Sequence, residues 1–136
     1  MVILSVDYGD SRTGLAVCDK SEFLASPVGV VFEKYEPIVV KSVSEKAAEL
    51  KAELIVVGLP RNMDGSYGDR AEKCTEFGEL LKEATGLDVV MWDERLTTVS
   101  AHRVLNEVNV RGKKRKNIVD AVSAVMILED FLASRK

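Results

Sequence analysis

The chain opens on an apolar run, residues 2–6 (VILSV), that ends on a carboxylate, Asp7. An unbroken run of this kind suits a central strand covered on both faces. A polar turn, residues 9–14 (GDSRTG), leads into a second apolar stretch at 14–18, and the glycines at both ends of the turn fit a hairpin. A third strand is predicted over residues 23–32, where Pro27 and Gly29 point to an edge position or a bulge. From Glu36 the period changes. Val40, Val43, Ala47 and Leu50 form a helical stripe, and Pro37 suits the first turn. Residues 54–59 (LIVVGL) form a short buried strand, closed by Gly58-Leu59-Pro60 and a turn-rich loop at 61–68. A second helix carries Cys74, Phe77, Leu81 and Ala84, with Gly86 as its C-terminal cap. Residues 87–92 form the fifth strand. A third helix is capped by Thr97 or Thr98, a basic loop covers 109–117, and a last helix runs from 118 to about 132, apolar around most of its circumference.

The order β-β-β-α-β-α-β-α-α builds an α/β fold with a mixed five-stranded sheet. Three antiparallel strands come first, then parallel β-α units, with helices on both faces; this is the pattern of the RNase H-like fold. Right-handed crossovers put the fourth strand beside the first. The C-terminal ends of the parallel strands then share one edge, where open α/β sheets bind ligands. At 136 residues the chain is expected to be one domain, 1–136. Residue 1 leads directly into a strand-like pattern without a signal-peptide pattern, and no run of about 18 apolar residues occurs, so a cytoplasmic protein with no membrane span is expected. Cys18 and Cys74 lack metal-ligand spacing and read as buried, reduced thiols. A net charge of −3 argues against a protein held to nucleic acid by its whole surface. The exception is local: residues 109–117 (NVRGKKRKN) carry five basic residues and no acid.

Three acids stand out by position. Asp7 ends the first strand, Glu94 follows the last, and Asp120 falls early in the final helix. Converging carboxylates repel unless a cation joins them, and hard oxygen donors suit Mg²⁺ or Mn²⁺. Each acid also has an ordinary explanation. Asp7 can brace a turn, Glu94 can pair with Arg95 or Arg61, and Asp120 can sit three places into a helix capped by Asn117, where an acid is favoured by the helix dipole. Asp93 competes with Glu94, and Asp64 is a reserve ligand or a D-G turn residue. Arg12, Arg61 and Arg95 adjoin these motifs and suit bidentate phosphate contacts; Asn62 suits a phosphate or sugar. Lys113, Lys114, Arg115 and Lys116 can track a phosphate backbone. His102, the sole histidine, reads as a helix-surface residue. Aromatics are 6% of the chain, and no base-stacking platform is evident.

Four motifs, VDYGDSRTGLAV (6–17), VGLPRNMDGS (57–66), DERLTT (93–98) and VDAVSAVMILEDFL (119–132), resemble the YqgF family, also called RuvX. Its members are described as Holliday junction resolvases and as nucleases maturing the 5′ end of pre-16S rRNA. The resemblance implies an RNase H-like fold. It also implies a metal-dependent nuclease whose catalytic, metal-binding acids are Asp7, Glu94 and Asp120, which decides for Glu94 over Asp93. The expected substrate is nucleic acid, structured RNA ahead of branched DNA, with ribosomal precursor particles as partners and a monomer or homodimer as the working form. The alternatives are a junction resolvase, a non-catalytic RNA-binding assembly factor, and a nucleotide-binding domain of the actin-like kinase type. The last needs a second half-domain for which 136 residues leave no room.

Overall fold

The computed structural model describes residues 1–60, 68–93 and 112–135, the backbone alone over 112–120. Five strands, β1 (Ile3–Asp7), β2 (Arg12–Cys18), β3 (Ala25–Phe32), β4 (Leu54–Leu59) and β5 (Asp88–Asp93), form one sheet in the order β3-β2-β1-β4-β5. β1 runs antiparallel to β2 and parallel to β4, and β5 is parallel to β4. This is the expected mixed sheet, with the fourth strand beside the first. β3 is an edge strand, and its pairing with β2 slips between Leu15–Gly29 and Ala16–Pro27, so Pro27 marks both an edge and a bulge.

β1 is buried on both faces because its side chains alternate between two cores. Leu4 and Val6 join Leu15, Ile55 and Val57 beneath α1 (Glu36–Glu49) and α2 (Asp69–Thr85), where Val39, Val43, Phe77 and Leu81 fill the layer. Ile3 joins Ala16, Cys18 and Val56 beneath the last described helix, α3 (Gly112–Ser134), against Ala124, Ile127, Leu128 and Phe131. Ser5 lies on this second face, fully buried, and its hydroxyl donates to the Ala124 carbonyl at 2.6 Å.

The helices differ from expectation in three places. On α1 the stripe is Val39, Val43 and Ala47, while Val40 and Leu50 pack at its margin. On α2, Ala84 is exposed and Ala71 and Gly78 are buried instead; Gly86 caps the helix at φ 72°. The largest correction concerns the basic run. α3 begins at Gly112, so Lys113, Lys114, Arg115 and Lys116 occupy its first turns and do not form a loop. Asn117 is inside the helix and not at its N-cap position, and Asp120 is two turns in. The helix expected after Thr97 or Thr98 lies outside the described residues. Cys18 and Cys74 are buried free thiols, as expected; burial pushes the Cys18 thiol pKa up.

Candidate active site at the carboxyl edge of the sheet

Across the three parallel strands Val6, Val57 and Met91 lie in register. The next position on each brings Asp7, Gly58 and Trp92 to one edge. Alternation puts half-buried Asp7 on the face of Ile3 and Ser5, beneath α3. Its cross-strand neighbour is Gly14, and two places along the same face of β2 stands half-buried Arg12. Asp93, one position beyond Trp92, is exposed and takes the opposite face, that of Val89 and Met91. It therefore does not share a side of the sheet with Asp7.

Two ties orient α3. Ser5 holds Ala124, and near the chain start Glu22 accepts hydrogen bonds from the Met1 ammonium at 3.0 Å and from Arg135 Nε at 2.7 Å. The helix thus runs back along β1, with its first turns toward Asp7. From Ala124, four residues toward the helix start is about 6 Å. From Ser5, two residues toward the strand end is about 7 Å. The position reached on the helix is 120, and on the strand it is 7. By its spacing, position 120 shares the helix face of Ala124, Ile127, Leu128 and Phe131, one turn earlier.

The turn after Asp7 is built tightly. A Cβ on Gly9 would stand 2.0 Å from the Arg12 carbonyl oxygen, so the backbone approaches there as only glycine allows. Tyr8 stacks flat on Phe77 with centroids 3.9 Å apart, and its hydroxyl bonds Glu36 Oε2 at 3.0 Å. Burial, then the hydrogen bond to Glu36, pushes its pKa up to about 12. Arg70, in the first turn of α2, forks across the turn. One guanidinium nitrogen pairs with Asp10 Oδ1 at 2.6 Å and the other donates to the Tyr8 carbonyl. Its guanidinium carbon also lies 5.3 Å from the Tyr8 ring centre. Nothing in sequence spacing marked Arg70, which is 60 residues from Asp10.

Of the predicted residues, Asp7 and Arg12 are thus placed on one face, and Asp120 and the Lys113–Lys116 stretch are placed by backbone alone. Glu94, Arg95, Arg61, Asn62, Asp64 and His102 lie outside the described residues. Among the described residues, no group of three acids, histidines or cysteines is close enough to hold a metal, and no helix is long and apolar enough to cross a membrane. A depression of about 550 Å³ lined by Leu59, Ala71, Glu72, Thr75 and Glu76 lies at the end of β4 over α2. Among the described residues, its charged lining residues are Glu72 and Glu76.

Comparison with known proteins fits this architecture. The family model RuvX, described as Holliday junction resolvase, matches residues 1–134. A Clostridium novyi protein named "Putative pre-16S rRNA nuclease" is 42% identical over 134 residues, covering 98% of this chain and 99% of that one. A structure of Thermus thermophilus RuvC superposes with a TM-score of 0.61 at 13% identity, over 99% of this chain and 96% of that one. The fowlpox virus Holliday junction resolvase gives 0.62 at 12% identity, over the whole of both chains. At such identities the two structures establish the RNase H-like fold alone.

Proposed function

Because the chain belongs to the RuvX family, we propose that it is a metal-dependent nuclease that hydrolyses phosphodiester bonds, processing the 5′ end of pre-16S rRNA in the cytoplasm. What supports the reading is that Asp7 on β1 and position 120 on α3 come level, by helix and strand rise from the Ser5–Ala124 bond, at the carboxyl edge of the sheet. Hard carboxylate oxygens at that edge fit Mg²⁺ or Mn²⁺. Asp7, Asp120 and Glu94, which follows β5, would hold the ion; when bound it supplies Lewis-acid polarisation and a more acidic water. Arg12, beside Asp7 on the same face, is suited to hold a phosphate flanking the scissile one. Arg61, Asn62 and Arg95 are assigned the same role. So are Lys113, Lys114, Arg115 and Lys116, now as residues of the opening turns of α3, one to two turns before Asp120. Ribosomal precursor particles would present the RNA.

The description of the matching family model supports a second substrate, branched DNA. A junction needs two cuts and therefore a dimer. The test is cleavage of pre-rRNA leader, single-stranded RNA and a four-way DNA junction with Mg²⁺ or Mn²⁺, by the wild type and by Asp7→Asn. The expected result is wild-type cleavage of the leader and a loss of at least about 100-fold in the variant, since the change removes a charged ligand. Preferential junction cleavage by a dimer would select the second reading. Cleavage that survives Asp7→Asn would overturn the site, and RNA binding without turnover would leave an assembly factor.

A further inference from the structure

Phe32 closes β3 opposite Arg12. Its neighbour Val31 packs into the core beneath α1 and α2, so Phe32 takes the other face, the one shared by Arg12, Gly14 and Asp7. α3 does not cover it: the ring is 61% exposed. Two strand spacings and two residues along the strand place its Cα about 12 Å from that of Asp7, a reach that a couple of nucleotides of an extended strand spans. The backbone under the ring is pinned. The Glu33 N–H donates to the Ser11 carbonyl at 3.1 Å, and Glu33 Oε1 accepts from the N–H groups of Lys34 and Tyr35 at 3.0 and 3.1 Å. An exposed aromatic on a fixed strand end, with a guanidinium directly across the pair, is a stacking surface with its own phosphate anchor.

We propose that Phe32 and Arg12 form a platform for an unpaired nucleotide beside the cleavage edge. The base stacks on Phe32 and its phosphate lies on Arg12, so the preferred substrate carries single-stranded RNA next to the bond that is cut. Paired bases are already stacked on their neighbours and gain nothing from the ring. The proposal rests on the nuclease reading and narrows its substrate.

The test measures binding without divalent metal, so that it does not depend on cleavage. A single-stranded RNA carrying 2-aminopurine, and the same RNA in a duplex, are titrated with wild type, Phe32→Ala, Phe32→Trp and Phe23→Ala. Phe23 is 80% exposed in the β2–β3 turn at the opposite end of the sheet and serves as the control. Phe32→Ala is expected to weaken single-strand binding about tenfold, the lower part of the range for one stacked base. It should also abolish the quenching of 2-aminopurine and leave duplex binding unchanged. Phe32→Trp and Phe23→Ala should bind as wild type. Equal single-strand affinity of wild type and Phe32→Ala overturns the platform and leaves the nuclease reading standing. A wild type that binds neither RNA overturns both. If sedimentation shows a wild-type dimer that Phe32→Ala converts to monomer, with RNA binding intact, the ring serves a second copy of the chain and the platform is overturned.

Discussion

Arg70→Ala is expected to damage the turn that follows Asp7. Three contacts are lost. The pair with Asp10 contributes at most about 1 kcal/mol, because Asp10 is 83% exposed. The charged hydrogen bond to the Tyr8 carbonyl, part-buried, contributes about 1.5–3 kcal/mol. The approach to the Tyr8 ring adds about 0.5 kcal/mol. Water can take over part of the carbonyl's hydrogen bonding, so the expected net cost is about 2 kcal/mol. For a chain of 136 residues that lowers Tm by roughly 8 °C. Arg70→Lys keeps one charge and loses the fork, so it should recover less than half of the difference. Asp10→Ala removes the exposed pair alone and should cost under about 1 kcal/mol. Because Tyr8 follows Asp7 directly, loosening the turn displaces the carboxylate. Turnover measured well below Tm should drop about tenfold for Arg70→Ala, on the scale by which small misplacements slow enzymes. Thermal melts and cleavage rates of the three variants are the assay. If Asp10→Ala costs as much as Arg70→Ala, or if Arg70→Ala changes neither Tm nor turnover, the latch assigned to Arg70 is wrong.

Two further predictions concern the same surroundings. The Tyr8 phenol is raised from 10.0 to about 12 in the folded chain, so the unfolded chain loses that proton first as pH rises. Stability linked to Tyr8 is therefore complete below pH 10 and is lost between about pH 10 and 12. Urea melts across that window should show a steeper fall for wild type than for Tyr8→Phe, which keeps the ring on Phe77 and loses the bond to Glu36. Ser5→Ala should cost about 1 kcal/mol in urea melts through loss of the Ala124 bond. Ser5→Val, which forces bulk into a fully buried position between β1 and α3, should cost about 1–3 kcal/mol and lower turnover by shifting position 120 against Asp7.

The fold was legible because its strands are short, apolar and separated by strong punctuation. Residues 54–59 read as a strand closed by Gly58-Leu59-Pro60, and the strand has those limits. Pro27 announced an edge, and Gly86 announced a helix end. Errors arose where two readings share a pattern. Val39 and Val40 both fit a helical stripe, and tertiary packing alone decides between them. What the chain does at its carboxyl edge was only half legible. Asp7 is visible as a charge that ends an apolar strand. Arg70 and Phe32 acquire meaning only when α2 is laid against the β1–β2 turn and β3 against β2, pairings that bring together residues 60 and 20 positions apart in the chain.

The basic run is helical where a loop is expected, and the difference bears on Asp120. Gly112 and a string of like charges look like a solvated loop, because repulsion among neighbouring lysines disfavours a helix. The helix nevertheless extends to Gly112, its later turns held by the packing of Ala124, Ile127, Leu128 and Phe131 on the sheet. With a start at 118, an acid at 120 would need no further explanation, since the first turn of a helix favours negative charge by about 0.3–1 kcal/mol. With the start at 112, position 120 is beyond the reach of that effect, which fades within the first turn. By spacing it shares the helix face of Ala124, Ile127, Leu128 and Phe131. The longer helix thus takes Asp120 out of the first turn, so the helix dipole does not account for an acid there, in keeping with the role proposed for it above.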